Sequence, residues 1–277
     1  MKIHRSATLL LASAASSAYA FSLTGGSRHG GAFLGRSVAR HGVRYPTVAT
    51  RRPVSSTGVT MILDKLFGNS GGGAYQSPIA YENLDFPGPE LAECARDGRV
   101  PAVSPSQPHL HLATFAGGCF WGLELAYQRV PGVEYTAVGY AQGPETNPTY
   151  NQVCAGSTGH TEAVMVYYNP DECRYEDLLD TFFERVDPTT VNGQGGDRGK
   201  QYRTGVYFHT PEQEQVAQAR FAAEQPKYNR PMASELKAAA PFWPAEKYHQ
   251  QYLEKGGRFN QPQNANKGAT DTIRCYG

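Results

Sequence analysis

Cys119 lies in Gly117-Gly118-Cys119-Phe120-Trp121-Gly122, a thiol between glycines followed at once by two large aromatics. Upstream, Leu110 to Phe115 alternates apolar and polar residues and predicts a strand. Downstream, Phe120, Leu123, Tyr127 and Val130 fall at helical spacing. Cys119 is therefore expected where a strand turns into a helix. Unpaired N–H groups at a helix start favour an anion, so a thiolate there is expected to be stabilised. The glycines let backbone approach closely and leave room for a substrate. Taken alone, such a cysteine is either a nucleophile or a buried structural residue at a tight turn.

A second group suited to chemistry is Glu162, at the start of an otherwise apolar or aromatic strand, Thr161 to Tyr168. Ala163, Val164 and Met165 cannot pair with it. The carboxyl is either salt-bridged from elsewhere or desolvated with a raised pKa. In the second case it can deliver a proton at neutral pH.

The other cysteines are Cys94, Cys154, Cys173 and Cys275. An odd number without Cys-x-x-Cys, and without a His pair at ligand spacing, argues against zinc. A chain of 277 residues needs no disulfide framework. Redox chemistry is favoured over stapling. Cys275 lies on a polar tail rich in Asn, Gln and Gly, expected to be mobile. Fully extended from Leu253, that tail spans roughly 70 Å, so length does not keep Cys275 from Cys119. It is either an incidental thiol or one that condenses with a sulfenic acid. Cys154 is the reserve for that role, and Cys94 and Cys173 read as structural or incidental.

The elements that must position these groups follow in order. After the first strand and helix, Pro131-Gly132 stops the helix and Val133 to Tyr140 predicts a second strand. A polar loop, 141–160, leads to the strand carrying Glu162. Leu178, Leu179, Phe182, Phe183 and Val186 share one face of a helix over 175–186. A glycine-rich loop, 187–200, precedes a strand over 202–208. The order β-α-β-β-α-β predicts an α+β fold, a ferredoxin-like two-layer sandwich with extra C-terminal helices and extended tails. Thr210-Pro211-Glu212-Gln213 reads as a capped helix start. A further strand over 233–237 and a short amphipathic helix over 245–253, with Tyr248, Tyr252 and Leu253 inward, complete the domain.

The ends differ in composition. No Asp or Glu precedes Asp64, and eight of the 26 basic residues fall before it, which leaves 18 basic against 25 acidic residues in the remainder. That mildly acidic balance argues against a nucleic-acid partner. Residues 1–20 have a basic start, a short apolar run and Ala18-Tyr19-Ala20, the pattern of a signal peptide. The run is too short for a membrane span, so no membrane association is expected. Residues 21–60 are rich in Ser, Gly and Arg, like a plastid transit peptide. The pair resembles the bipartite presequence of algae with secondary plastids; the alternative is a secreted protein with a basic arm. Residues 61–108 read as a partly ordered arm, 109–256 as the catalytic domain and 257–277 as the tail.

Gly-Cys-Phe-Trp-Gly resembles the active-site signature of the methionine sulfoxide reductase A family, and the resemblance extends from about Leu112 to Leu253 and again at Thr272-Ile273-Arg274-Cys275-Tyr276-Gly277. It implies a thiol enzyme that reduces the S epimer of protein-bound or free methionine sulfoxide. Cys119 would attack sulfur, Glu162, in Gly-His-x-Glu-Ala-Val, would protonate the oxygen, and Cys275 would resolve the sulfenic acid. Phe120 and Trp121 would receive the methyl group. Tyr150, in Asn-Pro-Thr-Tyr, and Tyr202 would hydrogen-bond the oxygen. Asp197, in Asp197-Arg198-Gly199-Lys200-Gln201-Tyr202, would orient the site through a water. Gly196 and Lys200 depart from many relatives, and Ala269 stands where plant members carry a second tail cysteine. Thioredoxin or another dithiol would be the electron donor, with no bound cofactor or metal, in a monomer. A different thiol enzyme, such as a peroxidase or cysteine hydrolase, and a non-catalytic binder of oxidised methionine are the alternatives.

Overall fold

Strand β1 (His111–Gly117) runs through the middle of a six-stranded sheet and ends at the glycines before Cys119. The structure, a computed structural model, describes residues 79–275. The predicted signal peptide, the transit-peptide-like segment and the arm up to residue 78 lie outside the described residues. Helix α1 (Gly88–Arg96) belongs to the arm. After β1 come α2 (Phe120–Gln128), β2 (Val133–Ala141), α3 (Tyr150–Cys154), β3 (Thr161–Tyr168) and α4 (Tyr175–Arg185). A short ribbon, β4 (Gly193–Gln194) with β5 (Asp197–Arg198), precedes β6 (Thr204–Phe208), α5 (Pro211–Glu224), β7 (Glu235–Ala238) and β8 (Trp243–Pro244).

The sheet order is β7-β6-β1-β3-β2-β8, so the fold is mixed α+β. β3 lies between β1 and β2 and is antiparallel to both. β6 is antiparallel to β1, and β7 lies parallel beside β6. Side chains alternate across a strand, so parity decides which layer each residue enters. Ala113 and Phe115 of β1 and Val164 and Val166 of β3 pack with Phe120, Leu123 and Tyr127 of α2 and Leu178, Leu179 and Phe182 of α4. Leu112 and Ala116, with Ala163, Met165 and Tyr167, face the other way and meet Leu91 of α1. Glu162 has the parity of Val164 and so points toward the helices. The arm is tied down by Glu90, whose carboxylate accepts from Tyr167 Oη at 3.0 Å and Ser104 Oγ at 2.8 Å.

Thr210 caps α5 as its sequence indicates: its Oγ1 accepts from Gln213 N at 3.2 Å. Two expectations change. The 141–160 loop contains α3, one turn in which Thr149 N donates to Gln152 Oε1 at 2.8 Å. The helix expected over 245–253 does not form; only a 3-10 turn, Lys247–His249, remains. Leu253 is buried but Tyr248 points outward. The reason is competition. Gln250 pairs with both Val138 N and Val138 O, at 3.0 and 2.9 Å, as a neighbouring strand would. Gln251, at φ +50, turns its N–H onto buried Glu124. These bonds to the sheet and α2 replace those of a short helix.

Candidate active site

Cys119 sits at the N-cap of α2, directly after β1, as its flanking residues predict. Gly118 makes the turn at φ +79, and a Cβ there would lie 2.6 Å from Gln194 Cβ, so no larger residue fits. The thiol's acidity departs from expectation. The Trp121 N–H does act to stabilise the thiolate, but burial and the nearby Glu162 carboxyl act more strongly, so the thiol is pushed well above its ordinary value. Helix-terminus chemistry is present and is outweighed.

Glu162 is buried, and its Oε2 accepts from Phe120 N at 3.0 Å. The carboxyl thus caps the first free N–H of the helix that Cys119 begins. Burial pushes its pKa up to about 8; the Phe120 N–H opposes that and Asp197 adds to it. Of the two possibilities open in the sequence, desolvation holds. Thr161 Oγ1 donates to Gln201 O at 3.0 Å and to Arg203 O at 3.1 Å. This fixes the turn carrying Tyr202 beside the start of β3. The Tyr202 hydroxyl is raised by burial and by the charge of Glu162, so it is a donor at neutral pH.

The aromatics gather around a residue that the sequence did not single out. His249 is buried, with its ring 5.1 Å from Phe120, 4.5 Å from Tyr150 and 5.6 Å from Trp121. Its Nδ1 accepts from Trp121 Nε1 at 3.1 Å. The proton of the neutral ring is therefore on Nε2, and burial pushes the pKa down to about 3. Trp121 also stacks on Tyr252 at 3.9 Å. The density of aromatic and amide residues in Tyr248-His249-Gln250-Gln251-Tyr252 was the available signal. Tyr150 N donates to Glu246 Oε1 at 2.9 Å, and its hydroxyl is raised by burial and by its hydrogen bond with Cys154. His160 packs against Gly143, where a Cβ would lie 2.3 Å from its Nδ1.

Cys275 shares a cavity of about 260 Å³ with Cys119, Gly122, Arg185, Gln194 and Asp197. A Cβ on Gly122 would lie 2.8 Å from Cys275 Sγ, so that glycine's open space receives the tail thiol rather than a substrate. Asp197 is placed by the β4–β5 ribbon. Cys154, on α3, and the buried Cys94 and Cys173 do not line this cavity. Among the described residues no cluster of His, Cys, Asp or Glu is arranged to hold a metal.

Residues 111–274 match the family model described as peptide methionine sulfoxide reductase. The chain is similar to "Peptide methionine sulfoxide reductase A4, chloroplastic" of Arabidopsis thaliana, 55% identical over 209 residues, 73% of this chain and 81% of that protein. A peptide methionine sulfoxide reductase of Lactuca sativa is 54% identical over 181 residues, covering 65% and 68% of the two chains. Among solved structures, methionine sulfoxide reductase A of Corynebacterium diphtheriae superposes with a TM-score of 0.52 at 34% identity, covering 57% of this chain and 85% of that one. With a family match across well over half its length, this chain belongs to the peptide methionine sulfoxide reductase family.

Proposed function

We propose that this site reduces methionine S-sulfoxide, free or within oxidised proteins, through a sulfenic acid on Cys119. The observation that carries the reading is the pairing of a buried carboxyl with the thiol at one helix start: Glu162 accepts from Phe120 N, the residue after Cys119. With a pKa near 8, Glu162 holds its proton at neutral pH. The proton goes to the sulfoxide oxygen as Cys119 attacks sulfur. Once that proton leaves, Glu162 is an anion and disfavours a second one at Cys119. The pair therefore holds at most one negative charge. The hydroxyls of Tyr150 and Tyr202 hold the oxygen, Asp197 orients the site through a water, and Phe120 with Trp121 receives the methyl group. One methyl in an apolar pocket is worth only about 1 kcal/mol, so the choice of epimer comes from fixing oxygen and methyl at once.

Cys275 then condenses with the sulfenic acid, and thioredoxin or another dithiol reduces the disulfide. Their shared cavity supports this pairing over Cys154. The plastid is the proposed location, supported by the chloroplastic name of the Arabidopsis relative and the composition of residues 1–60. The test is turnover of separated S and R sulfoxides. The S epimer alone should be reduced, and Cys119→Ser should abolish it, since a hydroxyl without an activating base is a poor nucleophile. Retained turnover in Cys119→Ser sinks the reading.

A further inference from the structure

Cys275 is held in place from two directions. The C-terminal end of α2 provides one set of anchors. Arg129 Nε donates to Asn264 O at 2.8 Å and its Nη1 to Asp271 O at 2.6 Å. Gly268 N donates to Arg129 O at 2.7 Å, and Lys267 Nζ to Gln128 O at 2.6 Å. The second anchor is Gln263, whose residue is 7% exposed and whose N–H donates to Leu253 O at 3.0 Å. Its Oε1 accepts from Arg274 N at 2.9 Å and its Nε2 donates to Arg274 O at 2.7 Å. Both backbone polar groups of the residue before Cys275 are thus clamped by one side chain. Helix α2 carries Cys119 at its start, the open seat at Gly122 in its first turn and the tail's anchors at its far end.

We propose that Gln263 is a positioning residue for the resolving step: by clamping Arg274 it keeps Cys275 seated beside Cys119 before the sulfenic acid forms. The inference rests on Cys275 being the resolving thiol. In that step the Cys275 sulfur attacks the Cys119 sulfenic sulfur. The S–S bond forms, the S–O bond breaks, and the hydroxyl leaves with the Cys275 proton as water. The sulfenic sulfur is reduced as the Cys275 thiol is oxidised. A free tail would have to close a long loop for each turnover, an entropy cost that a clamped tail has already met.

The test uses the full chain with Gln263→Leu, which keeps an apolar stem and removes both bonds. Methionine release in the first turnover should be unchanged. Formation of the Cys119–Cys275 disulfide, followed by quenching and peptide mapping, should slow about tenfold, the worth of one to two ordinary hydrogen bonds. Thioredoxin-driven turnover should fall with it. Dithiothreitol-driven turnover should hold, because a small thiol reaches the sulfenic acid directly. Arg129→Met loosens the tail at its other anchor and should give the same split. Disulfide formation at the wild-type rate in both variants, or an equal fall with both reductants, overturns the proposal. A wild-type map without a Cys119–Cys275 disulfide would instead overturn the resolving role itself, and this proposal with it.

Discussion

At the scale of single residues, Cys119 and Glu162 show how burial tunes two acids in one site. Both are raised chiefly by burial, and the Glu162 carboxyl adds to the rise at Cys119. Glu162 is a competent donor only below about 8, where it keeps its proton. The rate of first-turnover methionine release should therefore fall as pH rises through that value, while Glu162→Gln should lose this limb. The same variant should slow the step by roughly 10²–10⁴-fold, the usual worth of a positioned acid. Alkylation at Cys119 should survive the change. Unchanged methionine release in Glu162→Gln would make the carboxyl a structural cap of α2.

At the scale of elements, α2 is the organising piece. Its start is set by the Gly118 turn and by Glu162, and its body packs Phe120, Leu123 and Tyr127 into the core. Gly122 is a weak helix residue that persists because Cys275 fills the space a side chain would take. Gly122→Ala should raise intrinsic helix stability by roughly 0.8–1.0 kcal/mol. It should also overpack the tail seat, at a cost of about 1–3 kcal/mol to the docked tail. The expected result is thermal stability near or slightly below wild type with dithiothreitol turnover near wild type, and thioredoxin-driven turnover down by roughly tenfold or more. If both reductants support equal turnover, the seat does not matter to recycling.

At the scale of the whole molecule, two buried carboxyls make stability depend on pH in an unusual direction. Glu124 accepts from Gln251 N at 2.9 Å and Thr136 Oγ1 at 3.2 Å, and burial pushes it up to about 8, as it does Glu162. Above the ordinary value of 4.5 the unfolded carboxyl has lost its proton and the folded one has not. The unfolded state then binds fewer protons, so stability falls as pH rises toward 8 and does not recover above it. Buried His160, His209 and His249, all pushed below the ordinary 6.5, oppose this at lower pH, so the carboxyls govern once the unfolded histidines are neutral, and the thermal midpoint should drop from about pH 7 to about pH 9. Glu124→Gln should remove part of that slope. An identical slope in the variant would show that Glu124 ionises at its ordinary value.

The local features were legible because local physics fixes them. Glycines and helical spacing set the strand-to-helix junction at Cys119, and Thr210 set its cap. The segment over 245–253 was misread because its amide side chains bond to Val138 and Glu124, distant in sequence, instead of to their own turn. His249 had only the weak mark of its aromatic and amide neighbours and became part of the site when the fold brought Trp121 and Tyr150 to it. The tail read as free, since composition speaks of solubility and not of partners; Arg129 and Gln263 tie it down. The thiol's acidity was decided last and by tertiary structure alone. A helix start is a local property, but burial and the charge of Glu162 are sums over residues far apart in the chain, and here those sums outweigh it.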